Sequence, residues 1–326
     1  MKRDRIYFGL LLLGLVGVII WSMLALLNVG KKEETYTISV IVNDSNNDRW
    51  IAMRAGLEQA AQHYNIELNY VSTGQLVSLE EEMLLLNREV EHGTDGMIVQ
   101  MVDADVDLES MSAISSKAIL MLVETDIVPE EHYAYTGPDN TEIGSAIAQA
   151  LKQDLGKTSE GKTIGILAGN QKQLSMRQRL KGLEKELSDT GTEVLWVISE
   201  PEQNTMEELR EKQKTSPVDI LITLGNAETE AAVDYLQTLN PSENNSCFLY
   251  GAGCSEKAVY YLDKGMIRLL VVPNEFNMGY QSMATMVGQL KYRLSEAKNQ
   301  KVDYLIVDRT TLYDEENQKI LFPIVQ

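Results

Sequence analysis

Residues 37–50, TISVIVNDSNNDRW, end a short apolar run at a loop made almost wholly of hydrogen-bonding side chains. Amides, carboxylates, a guanidinium and an indole crowded over 43–50 suit a small polyhydroxylated ligand. Each hydroxyl both donates and accepts, and an aromatic face covers the C–H side of a ring. Comparable groups recur where later apolar runs stop: Gln100 with Asp103, then Glu124 with Thr125. A further set follows in GPDN (137–140), GNQKQLSMRQR (169–179), GNAE (225–228), GAGCS (251–255) and PNEFN (273–277). The same residue types have a plainer use, because Asn, Asp and Ser after a strand also cap helices and form turns. Trp50 suits a ligand platform or a helix packing face, and Arg177 and Arg179, near Lys172 and Lys181, suit a solvated basic face, with a cleft the alternative for Arg177.

Signals for bond-making chemistry are weak. The three histidines, His63, His92 and His132, are far apart in sequence, so neither a metal cluster nor a base–nucleophile pair can be assembled from local spacing. GILAGN (165–170) follows a strand-like run but lacks the G-x-G-x-x-G turn, and no G-x-x-x-x-G-K-[ST] occurs. No cofactor, metal or catalytic residue is therefore expected. Cys247 and Cys254 are the only cysteines. The strand-like residues between them carry the chain past the roughly 7 Å Cα limit for a disulfide, so they are expected to be unpaired.

The elements that must position these loops alternate. Strands are expected over 38–42, 67–72, 96–100 and 118–123, and helices over 50–64, 79–92 and 108–116. Such alternation implies an α/β fold with parallel sheets covered by helices on both faces. The pattern then restarts: at an offset of 126, Gly56, Leu57 and Glu58 fall on Gly182, Leu183 and Glu184, and Glu67 falls on Glu193. Two lobes of like build are expected. From residue 274 a third section reads as helix (278–295), strand (303–307) and a polar excursion (314–319), too short for a domain and suited to crossing between the lobes. The expected division is residues 36–139 with 275–305 as the first lobe and 140–274 with 306–326 as the second.

A formal net charge of −19, with no basic block against it, excludes nucleic acid as a partner. Residues 6–29 carry no charge and as a helix would reach roughly 36 Å, enough to cross a hydrocarbon core of about 30 Å. The run is longer than a signal peptide's apolar region and no small-x-small cleavage site closes it. Residues 1–35 are therefore expected to be an uncleaved single-pass transmembrane anchor and tether. The basic residues Lys2, Arg3 and Arg5 before the span place the rest of the chain on the extracytoplasmic side of the cell membrane.

IVNDSNNDRWIAMRAGLEQAA, DGMIVQMVDAD, YTGPDNTEIGSAIAQAL and GMIRLLVVPNEFNMGYQSM occur in this order. On these marks the chain from about residue 35 resembles the type I periplasmic binding proteins, in the ribose- and galactose-binding branch that delivers sugars to ABC transporters. The resemblance implies two α/β lobes closing on a small polar ligand. It carries ligand contacts onto Asn43, Asn47, Arg49 and Trp50 of the first loop, Gln100, Glu124 and Asn140, and from the second lobe Arg177, Asn226 and Asn274. Two departures stand out. Gly253 sits where relatives that bind sugars carry an Asp, and Arg49 stands where an aromatic is usual. A modified, anionic or non-sugar ligand would fit those changes, the extra Arg favouring an anionic group. The implied partner is an ABC permease, or alternatively a membrane sensor such as a histidine kinase to which the ligand-bound form is presented. An enzyme on the same scaffold is the reading from another class. The lactose-repressor family shares this fold, but the segment ahead of it here is an apolar run and not a helix-turn-helix.

Overall fold

Runs such as Gly96–Val99 and Ile220–Thr223 are buried along their whole length, as strands are when helices cover both faces of a parallel sheet. A computed structural model of the chain describes residue 7 and residues 12–23, 35–76, 78–130, 132–188, 191–199, 205–239, 247–292 and 299–322. Residues up to 35 and residues from 36 onward form two separate compact units. In the first, residues 12–23 are helical, with their apolar side chains exposed. Among the described residues no helix is long and apolar enough to cross a membrane. Most of the rest of the expected span over 6–29, and the tether that follows, lies outside the described residues.

The second unit holds two six-stranded sheets. The first contains β1 (Tyr36–Ile41), β2 (Ile66–Tyr70), β3 (Gly96–Val99), β4 (Ile119–Val123), β5 (Ala134–Gly137) and β11 (Gln300–Lys301), in the order β11-β5-β4-β3-β1-β2. The second contains β6 (Thr163–Leu167), β7 (Glu193–Ile198), β8 (Ile220–Thr223), β9 (Phe248–Ala252), β10 (Ile267–Pro273) and β12 (Tyr304–Asp308), in the order β12-β10-β9-β8-β6-β7. The orders correspond strand for strand. The difference is at the last edge, where β11 runs parallel to β5 but β12 runs antiparallel to β10. Between the sheets the chain crosses after β5, again after β10, and finally between β11 and β12.

The helices are α1 (Ile51–Tyr64), α2 (Leu79–Glu91), α3 (Leu108–Ser115), α4 (Asn140–Leu155), α5 (Leu174–Leu187), α6 (Thr205–Thr215), α7 (Asn226–Gln237), α8 (Glu256–Asp263), α9 (Glu275–Tyr292) and α10 (Glu315–Leu321). Ser78, Asp107, Asp139 and Ser255 cap their helices by accepting backbone N–H groups of the first turn. The polar excursion expected over 314–319 is helix α10 instead. Its polar residues face solvent while Leu321 packs into the second lobe's core, an amphipathic arrangement.

The sequence offset has a structural counterpart in two helix pairs. In the first lobe α1 packs on α9, with a Cβ on Gly56 falling 2.0 Å from the Phe276 carbonyl and one on Gly279 falling 2.1 Å from that of Met53. In the second, α5 packs on α4, and the same construction puts Gly182 at 2.1 Å from the Thr141 carbonyl and Gly144 at 1.9 Å from that of Arg179. Only glycine lets the backbones approach this closely. Each pair covers one face of its sheet, joining Ile38, Leu57 and Met286 in one core and Ile164, Leu183 and Ile222 in the other.

Candidate functional site

The carboxyl ends of strands from both sheets face a common gap, the position where open parallel sheets bind ligands. Its walls come from the loops after β1, β3 and β4 on one side and after β6, β8, β9 and β10 on the other. At its centre is Glu124, directly after β4. Its φ of +64 is unusual for a residue with a side chain. Hydrogen bonds hold that backbone: the Glu124 N–H donates to the Thr136 carbonyl (3.0 Å), and the Glu124 carbonyl accepts from Tyr135 Oη (3.0 Å) and Asn140 Nδ2 (3.2 Å).

The Glu124 carboxylate is consequently aimed into a charged network. Its Oε2 accepts from Gln100 Nε2 (2.6 Å) and Arg49 Nη2 (2.8 Å), while Arg179 Nη2 lies 3.8 Å from Oε1. Arg49 lies over Trp50, with Cζ 4.1 Å from the ring centroid. Arg179 reaches the gap from α5 in the other lobe, donating from Nε to Asn140 Oδ1 (2.8 Å) and from Nη1 to the Leu224 carbonyl (2.8 Å). Burial pulls its pKa down, opposed by the Glu124 carboxylate. The Glu275 carboxyl is pushed up to about 8 because burial outweighs the attraction of Arg49 and Arg179.

Asn226, the first residue of α7, carries a different signal. Its Oδ1 is buried, lines the gap and has no hydrogen-bond partner, which costs about 1–3 kcal/mol unless something donates to it. A Cβ on Gly253 would lie 2.2 Å from that oxygen, and Gly253 has φ of +108. A side chain at 253 is thus strained by the backbone conformation and would push the Asn226 side chain from its place. Glu228, one turn into α7, lies between Gly169 and Gly225, whose added Cβ atoms would meet its carboxylate at 2.7 and 2.5 Å.

The gap unites some of the residues singled out from sequence and leaves others outside. Asn43, Arg49, Gln100, Glu124 and Asn226 line it. Asn43 accepts from the Leu76 N–H (2.6 Å), and its own N–H donates to Gln100 (3.1 Å). Asn47 is exposed: its Oδ1 caps the Arg49 N–H (3.0 Å) and its Nδ2 donates to Asp44 (3.2 Å). Trp50 is a core residue, only 2 % exposed, with Nε1 donating to the Asn43 carbonyl. Asn140 is buried behind the gap and braces Arg179. Arg177 sits on the rim, bonded to Asp105 (3.2 Å) and the Lys172 carbonyl (3.0 Å). Two positions along a helix turn a side chain by about 200°, so Arg179 faces inward where Arg177 faces out. Asn274 caps α9 by accepting the Asn277 N–H (2.9 Å), leaving its neighbour Glu275 in the gap.

Arg179, Glu275 and Glu228 were not selected from sequence. Arg179 had a legible signal: Ser175, Arg179, Gly182 and Leu183 share the buried face of α5 at spacings of four, three and one.

Around the gap the lobes clasp. Asn170 and Gln173 donate to the carbonyls of Val102 (3.1 Å) and Met101 (3.0 Å), the Ala104 N–H donates to the Lys172 carbonyl (3.0 Å), and the Ser175 N–H donates to Thr125 Oγ1 (3.2 Å). The space left there is about 50 Å³, and an adjoining pocket of about 280 Å³ shares Asn43, Arg49 and Asn226 with it and is lined also by Asn47. A cavity of about 150 Å³ is what holds a benzene molecule, so this gap takes a few waters as drawn. Both cysteines are free, and burial pushes their thiols up to about 12.

A model of the periplasmic binding protein domain matches residues 38–294. The chain belongs to that family. Among solved structures it is similar to GanP, a glucose-galactose binding protein from Geobacillus stearothermophilus, with a TM-score of 0.77 at 19 % identity over 86 % of this chain and 100 % of the other. It is also similar to a carbohydrate transporter solute-binding protein from Agrobacterium radiobacter in complex with D-arabinose (TM-score 0.79, 14 % identity, 89 % of this chain and 100 % of the other). A third likeness is to the XylFII–LytSN complex (0.72, 15 %, 85 % and 98 %). At these identities the similarity shows the fold, that of the type I periplasmic binding proteins. Among curated proteins, the chain is 29 % identical over 171 residues to the HTH-type transcriptional repressor PurR of Photobacterium profundum, covering 52 % of this chain and 48 % of that protein. The chain spans about half the length of the curated relatives it matches.

Proposed function

We propose that this protein is an extracytoplasmic solute-binding protein that captures a small polar, sugar-like ligand between its two lobes, without making or breaking a bond. The observation that carries this is the unpartnered Asn226 Oδ1 at a gap whose other groups come from strand ends of both sheets. A ligand hydroxyl donating to that oxygen would offset its desolvation, and contacts to both lobes are what make a ligand favour the closed form. A sugar ring needs more room than the gap offers, so entry requires the lobes to part and Arg49 to release Glu124. The ligand then competes with Glu124 for Arg49 and Arg179, and an anionic sugar is the class best placed to do so. The working units of closure are residues 36–139 with 275–303 and residues 140–274 with 304–322, the last boundary falling ahead of β12 and not after residue 305, because Tyr304 and Leu305 pair with β10 in the second sheet; the hinge is where the chain crosses between sheets.

The test is calorimetry on the soluble part against pentoses, hexoses and their uronic acids. One of these is expected to bind at micromolar Kd or tighter, and Asn226→Ala or Arg179→Met to weaken it by at least ~10-fold. Heat from none of them would overturn the reading; so would recovery of a chemically altered sugar, which would favour the enzyme class.

The uncharged run over 6–29 after three basic residues supports retention as a single-pass anchor with the lobes outside. Fractionation of cells should place the full chain in the membrane, cleaved by external protease. Delivery to an ABC permease is the leading use. Presentation of bound solute to a membrane sensor such as a histidine kinase is the second, favoured by the anchor and by the likeness to a protein crystallised as the XylFII–LytSN complex. Affinity capture from membranes in the presence of ligand separates them by whether a permease or a kinase is retained.

A further inference from the structure

Beside the polar gap is a second cavity of about 160 Å³, and its walls are mainly apolar. Ile51 and Ala52 of α1 close it from the first lobe, and Val259, Val272, Leu321 and Phe322 close it from the second. Arg49, Pro273 and Glu275 line both cavities, so these side chains are the partition between them. We propose that this chamber is a binding subsite for the apolar substituent of the solute, whose polar ring occupies the neighbouring gap. The ligand class is then an aryl or short-chain alkyl conjugate of a sugar and not the free monosaccharide.

Three observations support the assignment. The volume, in a pocket partly open to solvent, is comparable to the about 150 Å³ that holds one benzene ring. The walls belong to both lobes, so an occupant stabilises the same closed form as the ring beside it. Arg49 and Glu275, both with long side chains, line the gap and the second cavity alike, so the two spaces are adjacent.

The proposal rests on the reading of the gap as a sugar site, and its test separates the two. The chamber alone is probed by the ¹⁹F line of p-fluorobenzyl alcohol, which should broaden with the wild-type protein and sharpen in Ala52→Trp and Val259→Phe, each of which fills the space. Calorimetry then compares D-glucose, D-galactose and D-xylose with their p-nitrophenyl glycosides. The glycoside of whichever sugar binds should be at least ~10-fold tighter, as burial of several ring carbons requires, and the gain should vanish in both filled variants while free-sugar affinity stays. A probe line unchanged by the wild-type protein overturns the proposal, as does a glycoside no tighter than its parent sugar. Probe binding that the filled variants abolish, with no sugar or glycoside bound, supports the chamber as a site and overturns the sugar reading of the gap instead.

Discussion

The two lobes share a strand order and a glycine-tight helix pair, yet bring different materials to the gap between them. The first lobe contributes long charged and amide side chains: Arg49, Gln100 and Glu124 reach in and bond one another. In the second lobe the loops contribute small residues and helix starts, namely Gly225, Gly253 and Asn226, and the main charged reach is Arg179 from α5. One half therefore supplies charged groups bonded to one another, and the other supplies Arg179 together with glycines that make room for Asn226 and Glu228. A duplicated scaffold leaves its core under common packing rules, while the loops at its strand ends are free to diverge because they carry no core load.

Arg179 is where this contrast is most easily broken. Replacing it by Met keeps the volume but leaves Asn140 Oδ1 and the Leu224 carbonyl without their donor, while Glu124 keeps Arg49 and Gln100, so the unfolding free energy from urea titration should fall by about 2–4 kcal/mol. The shared scaffold is tested by Gly56→Ala and Gly182→Ala, since each places a methyl group against a carbonyl of the partner helix. Both should lose about 1–3 kcal/mol or more, and a large loss in one with none in the other would deny that the helix pairs are equivalent.

A smaller effect concerns pH and the first lobe alone. Glu82 is fully buried beneath the clasp, accepts from the Val102 N–H (3.1 Å) and has its other oxygen unpartnered. Burial pushes its carboxyl up to about 8. Between the usual carboxylate range and pH 8 the folded protein thus holds a proton that the unfolded chain has released, so stability should fall as pH rises through that window. The slope is at most about 1.4 kcal/mol per pH unit per group, with Glu275 adding in the same direction. Urea midpoints from pH 5 to 8 should show the decline, and Glu82→Gln should flatten it. The smallest effect is expected at Arg177: an ion pair on the rim contributes about 0–1 kcal/mol, so Arg177→Ala should leave ligand affinity within about 3-fold of wild type. A large loss there would move the site outward to the rim.

Much of the scaffold was legible in the amino-acid order. Strands β1, β3 and β4 and helices α1, α2 and α3 lie within two residues of where apolar runs and helical periods put them, and the match of Gly56 to Gly182 marks the twin helix crossings. The site was legible as a set of loops but not as a set of side chains. Asn47 and Asn274 were selected for their chemistry and serve as caps, the plainer use open to any Asn beside a helix start. Trp50 supports Arg49 from within the core.

Local order thus determined the α/β alternation, the doubling and the loops where polar groups collect, because hydrophobic period and turn chemistry are written over a few neighbouring residues. Which member of each loop faces the gap was decided only in three dimensions. Arg179 and Arg177 differ by a rotation about one helix, Glu275 and Asn274 by a single step in register, and Gly253 leaves room for Asn226, a residue from a different strand end. Such choices depend on what stands opposite, and residues that meet across the two sheets carry no mark of each other in sequence.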